Sequence, residues 1–95
     1  MLRRWQKMGV SMRVRVQKVG QADHPHGVVV ELITATGPHR LVVDDNQVER
    51  DSVAIGYPLR RDNELVWVAL PRPTLSGSFR VWVRAEDILP NTAFA

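Results

Sequence analysis

No cysteine occurs in the 95 residues, which hold one tyrosine and two phenylalanines, and the first acid is Asp23. Without cysteine there is no disulfide framework and no thiolate chemistry, which fits a reducing compartment and leads us to expect a cytoplasmic protein. No apolar run reaches the roughly 20 residues that a bilayer-spanning helix needs. The basic start, Met1-Leu2-Arg3-Arg4-Trp5-Gln6-Lys7, is not followed by a hydrophobic region, so it does not read as a secretory signal. There is no internal repeat, low-complexity tract or linker long enough to divide the chain. Also missing is a glycine motif that would cradle phosphate. Ser11, Ser52, Ser76 and Ser78 have no elbow-like glycine setting and no nearby His-Asp pair. These absences argue against catalysis and lead us to expect neither enzyme activity nor a cofactor.

What is present is a single small domain. The 44% apolar content is too high for a disordered chain and sufficient for one modest core. Arg3, Arg4, Lys7, Arg13, Arg15 and Lys18 all precede the first acid, so residues 1–18 form a basic stretch while the remainder sums to −3. Such an asymmetry suits an anionic partner, although basic side chains also protect edge strands and keep small proteins soluble. Residues 1–11 read as a basic arm or short helix, with Leu2, Trp5 and Met8 at spacing three. Residues 12–90 read as one β domain and residues 91–95 as a tail.

The central stretch is residues 53–84, where three runs alternate apolar and other residues at period two. Asp62-Asn63 has tight-turn chemistry, because Asx residues tolerate positive φ. A two-residue turn there sets Leu59 against Val66, Tyr57 against Val68 and Ile55 against Leu70. In the next hairpin, pairing Leu70 with Phe79 sets Val68 against Val81 and Val66 against Val83. Both pairings direct Ile55, Tyr57, Leu59, Val66, Val68, Leu70, Phe79, Val81 and Val83 to one face. A slip of one residue would turn that whole set outward. The opposite face then carries a row of Pro58, Trp67 and Trp82. Arg60, Leu65 and Arg84 flank it on one side, and Gly56, Ala69 and Arg80 on the other.

Upstream, residues 12–19 alternate as a first strand, residues 20–27 form a loop, and residues 28–35 and 39–43 form a hairpin around Thr36-Gly37-Pro38. Residues 44–47 are turn-like, and Ala85-Glu86-Asp87-Ile88 has the look of one helical turn. Five or six strands with such a turn predict an all-β fold, a small, partly open antiparallel barrel. The closing stretch Arg80-Val81-Trp82-Val83-Arg84-Ala85-Glu86-Asp87-Ile88-Leu89 resembles the last part of SH3-like barrels, where a strand passes through a single helical turn. The aromatic and acidic loop signature of peptide-binding eukaryotic SH3 domains is missing. The resemblance therefore points to bacterial SH3-like modules, a class that includes nucleic-acid and protein docking domains.

Flat rings accept stacked bases and cations neutralise phosphate, so Trp67 and Trp82 with Arg60, Arg80 and Arg84 are the first candidate site, for nucleic acid. Arg72, held between Pro71 and Pro73 in a long loop, is a further contact candidate. Arg3, Arg4, Lys7, Arg13 and Arg15 would add non-specific affinity. The competing reading is a protein-contact face, docking a partner or a second copy of the chain, since tryptophan is also favoured at protein interfaces. Asp23, His24 and His26, with His39 further on, could meet around a metal only if the hairpin end folded over the loop, and a solvated loop is the simpler reading.

Overall fold

The computed structural model describes residues 12–56 and 58–90. Arg3, Arg4 and Lys7, the Leu2/Trp5/Met8 stripe, Tyr57 and the tail at 91–95 lie outside the described residues. Among the described residues, nine short strands and two 3-10 turns make an all-β domain. In order they are β1 (Met12–Arg15), β2 (Gln17–Gln21), β3 (Gly27–Thr34), β4 (Gly37–Asp44), β5 (Ser52–Ile55), β6 (Arg60–Asp62), β7 (Leu65–Ala69), β8 (Arg80–Arg84) and β9 (Ile88–Pro90), with 3-10 turns at Asp45–Gln47 and Ala85–Asp87.

The described strands form two antiparallel sheets instead of one closed barrel. One runs β5-β1-β9; the other runs β2-β3-β8-β7-β6, with β4 on the far side of β3. The chain passes between them at Val16, at residues 45–51, at residues 56–59 and at residues 85–87. Two expected strands are therefore divided. The stretch 12–19 leaves one sheet at Val16, where the Val16 amide donates to the Asp51 carbonyl, and continues as β2 in the other. The run 53–60 likewise begins as β5 beside β1 and ends as β6 beside β7.

The core consists of Val14, Val16, Val28, Val30, Leu32, Leu41, Val43, Val53, Ile55, Val66, Val68, Leu70, Val81 and Val83. Most are valine, whose stiff, branched side chain loses little freedom on a pleated surface. The inward parity of Ile55, Val66, Val68, Leu70, Val81 and Val83 agrees with the sequence pattern. So does the whole β7–β8 register, including Val66 opposite Val83 and Val68 opposite Val81.

Leu59 and Phe79 depart from it, at 50% and 59% exposed. The Gly56 amide donates to the Ala69 carbonyl at 3.4 Å, but Arg60 faces Trp67, Arg61 faces Val66 and Asp62 faces Leu65. Two more residues are thus taken up between Gly56 and Arg60 than between Trp67 and Ala69. The turn moves one place, to Asn63-Glu64, with Asn63 at φ 60°. Leu59 is carried out of line with Val66. Phe79 sits at the last rung, where the Leu70 amide meets its carbonyl at the mouth of the 71–78 loop, and its ring stays in solvent.

Candidate nucleic-acid interface

The parity of β7 and β8 places Trp67 directly opposite Trp82 on the face away from the valine core. Both are half-buried; their ring centroids lie 5.3 Å apart with planes inclined at 42°. That tilted contact stabilises the pair while leaving ring surface for a ligand. The shift at the β6–β7 turn changes the third member of the row. Arg60, rather than Pro58, lies across from Trp67, so the row reads Arg60–Trp67–Trp82. Asp62–Leu65–Arg84 forms the row on one side, and Ala69–Arg80 that on the other.

The arginines divide by what they touch. Arg84 is committed to the structure: Nε and Nη2 donate to Asp87 Oδ2 at 3.0 and 2.9 Å, and Nη1 lies 3.2 Å from Glu86. Arg15 approaches Asp87 Oδ1 at 3.5 Å. Arg13 is largely buried and donates to Ser52 Oγ at 2.7 Å, to the Ser52 carbonyl at 3.0 Å and to the Gln47 carbonyl at 3.2 Å. These three hold the fold together. Arg60, Arg72 and Arg80 are exposed and make no ion pair among the described residues.

Arg72 lies outside the tryptophan row. Its loop is anchored: Leu41 bridges Thr74, the Leu75 amide donates to the Arg40 carbonyl at 2.7 Å, and buried Thr74 accepts the Ser78 amide on its hydroxyl at 3.0 Å. That anchoring forms one wall of a cleft of about 180 Å³ beside Trp82, lined by Thr34, Ala35, Thr36, His39, Trp67, Ser78, Arg80, Val81 and Trp82. It exists because β8 meets β3 at only one position, Thr34 opposite Val83, before the chain turns away into β4. Thr34 shapes that turn by donating to the Gly37 carbonyl at 2.8 Å and accepting the Thr36 amide at 3.1 Å. Gly37 follows at φ 109°, open to glycine at no steric cost.

Thr36, His39 and Ser78 thus join the site without any local sequence signal. Only the meeting of the β3–β4 turn with β8 brings them there. The same placement separates His39 from His24 and His26. His39 contacts Thr36 Oγ1 at 3.1 Å near the β3–β4 turn, whereas His24 and His26 line a hollow with Asp44, Asp45 and Asn46 at the other end of that hairpin. No group of three metal-ligating residues occurs among the described residues.

A larger groove, about 440 Å³, opens between the sheets and is lined by Met12, Pro58, Leu59, Arg60, Arg61, Val66, Ala85 and Ile88. Arg60 stands where the groove meets the tryptophan row. Among the described residues, no helix is long and apolar enough to cross a membrane. No protein-family model, curated protein or solved structure matches the chain.

Proposed function

We propose that this protein is a non-catalytic binding module that holds single-stranded nucleic acid on the Arg60–Trp67–Trp82 row. The observation that carries the reading is that row itself: two indoles side by side on a sheet face, with a guanidinium in line that makes no ion pair among the described residues, and Arg80 one row away. Bases stack on aromatic faces whatever their sequence, and each stack contributes about 1–3 kcal/mol. Arg60 and Arg80 supply the cations that phosphate requires. The order β5/β6, β7, β8, 3-10 turn, β9, with β9 returning to β1, supports classing the fold as SH3-like, a reading of connectivity that does not by itself confer function.

A second reading rests on a different observation. Leu59, Leu75 and Phe79 are exposed, at 50%, 67% and 59%. Charge is also balanced over residues 12–90, with ten Lys/Arg against ten Asp/Glu, so the basic excess lies in Arg3, Arg4 and Lys7. A protein partner, or a second copy docking on the tryptophan face, would gain from exposed apolar side chains of this kind.

Salt separates the two, because phosphate-driven binding weakens steeply as ionic strength rises while apolar docking hardly responds. Tryptophan emission read against a soluble quencher, with and without a short oligonucleotide at low and high salt, is the test. Quenching that the oligonucleotide blocks only at low salt supports nucleic acid. Quenching unaffected by oligonucleotide at any salt rejects it.

A further inference from the structure

We propose that the cleft beside Trp82 seats a backbone phosphate, so that the ligand is a single strand gripped at two phosphates, one on each side of the stacked bases. The proposal rests on the nucleic-acid reading above and adds the position and number of the phosphate contacts.

None of the nine lining residues is acidic; Arg80 and Ser78 present side-chain donors beside the two indoles, while the Thr36 hydroxyl is already engaged by Thr34 Oγ1 and His39 Nε2, each at 3.1 Å. The neighbouring backbone amides are already used. Ala35 N donates to the Trp82 carbonyl at 2.9 Å and Thr36 N to Thr34 Oγ1 at 3.1 Å. An incoming anion must therefore be held by side chains. Arg80 is the one cationic side chain lining the cleft; it is exposed, makes no ion pair among the described residues, and offers a fork of N–H groups suited to phosphate oxygens. Ser78 adds a hydroxyl from the anchored loop.

Trp67 and Trp82 both belong to this lining and to the stacking row, and the β3–β4 residues of the lining lie past Trp82, on the side away from Arg60. A base on the Trp82 ring leaves the sugar at the rim and its phosphate over the cleft. At the opposite end of the row, Arg60 meets the phosphate beyond the base on Trp67. Contacts of this kind grip the backbone and the ring faces without reading base edges, so binding tolerates any base.

The experiment is a salt titration of hexathymidylate binding to the full chain, followed by tryptophan emission. Each neutralised phosphate on a single strand contributes about −0.7 to the slope of log K against log salt, so Arg60 and Arg80 together contribute about −1.4 beyond the share of the basic arm. Arg80→Met makes the slope shallower than the wild-type value by about 0.7, and Ser78→Ala weakens binding at least a few fold with the slope unchanged. Trp82→Phe keeps a stacking ring and keeps the wild-type slope. Unchanged affinity and slope in Arg80→Met and Ser78→Ala, with binding still lost in Trp82→Ala, would overturn the phosphate seat and leave the stacking platform standing. Failure of hexathymidylate to bind the wild-type chain at any salt would overturn both.

Discussion

At the scale of single residues, the two indoles and one strained turn matter most. Trp67 and Trp82 are held on the sheet by backbone pairing, and the core beneath them is made by Val66, Val68, Val81 and Val83. Trp67→Ala and Trp82→Ala are therefore expected to leave a cooperative folded state while each lowers oligonucleotide affinity by about 1–3 kcal/mol. Matched melting curves with unchanged binding would reject this. The turn is the one between Val48 and Val53, where Arg50 and Asp51 take φ of 53° and 58° and Glu49 and Ser52 exchange backbone hydrogen bonds. Positive φ at both central positions is the type I′ requirement that Asn-Gly meets cheaply and arginine does not. Replacing Arg50-Asp51 by Asn-Gly should raise stability by about 1 kcal/mol, read as a melting point some 4–8 °C higher. A lower melting point would mean that the arginine backbone carries no strain there.

At the scale of elements, the loops are tied down by long-range contacts. Arg13 on β1 reaches across to Ser52 and to the Gln47 carbonyl, bracing the strained hairpin from the strand it packs against. A hydrogen bond to a charged group contributes about 1.5–3 kcal/mol net, and the three from Arg13 share one guanidinium, so their losses do not add. Arg13→Ala should cost about 2–3 kcal/mol, with amide exchange quickening first at Val16 and Ser52. An equal rise at Val68 and Val81 alone would place the weakness elsewhere. Gly27, buried at the start of β3, is another such point. A Cβ there would fall within 3 Å of both the His24 ring and Ala22 Cβ. The His24 ring can swing into solvent, but Ala22 must shift with the backbone, so Gly27→Ala is expected to destabilise by about 1 kcal/mol. No change in the denaturation midpoint would show that the 22–27 loop yields freely.

At the scale of the whole molecule, what must be explained is how two sheets stay together. The shared valine core is the main cause, and Asp87 adds a polar staple. Only 6% exposed, it takes Arg15 from the β5-β1-β9 sheet and Arg84 from the other. Because both guanidinium groups are about half in water, the loss in Asp87→Ala should be about 1–3 kcal/mol, below the usual cost of breaking a buried pair. Since Arg84 serves this staple, Arg84→Met should lower stability more than it lowers oligonucleotide affinity; the reverse order in melting and binding titrations would return Arg84 to the binding face.

Period-two alternation alone determined that the fold is all-β, that Val66, Val68, Val81 and Val83 lie inward, and that Trp67 stands beside Trp82 on the outer face. That pattern is local and survives wherever a strand is placed, because a strand buried on one face must repeat every second residue. Only the tertiary structure decided which sheet each half of residues 12–19 and 53–60 joins, that Arg60 and not Pro58 completes the row, and that Thr36, His39 and Ser78 gather beside Trp82. Bends at Val16 and at residues 56–59 change a strand's neighbours, and past them the alternation of burial stops, with β2 exposed throughout and Leu59 in solvent. An arginine's availability, in turn, depends on carboxylates and carbonyls that only folding brings within reach, as Arg13, Arg15 and Arg84 show.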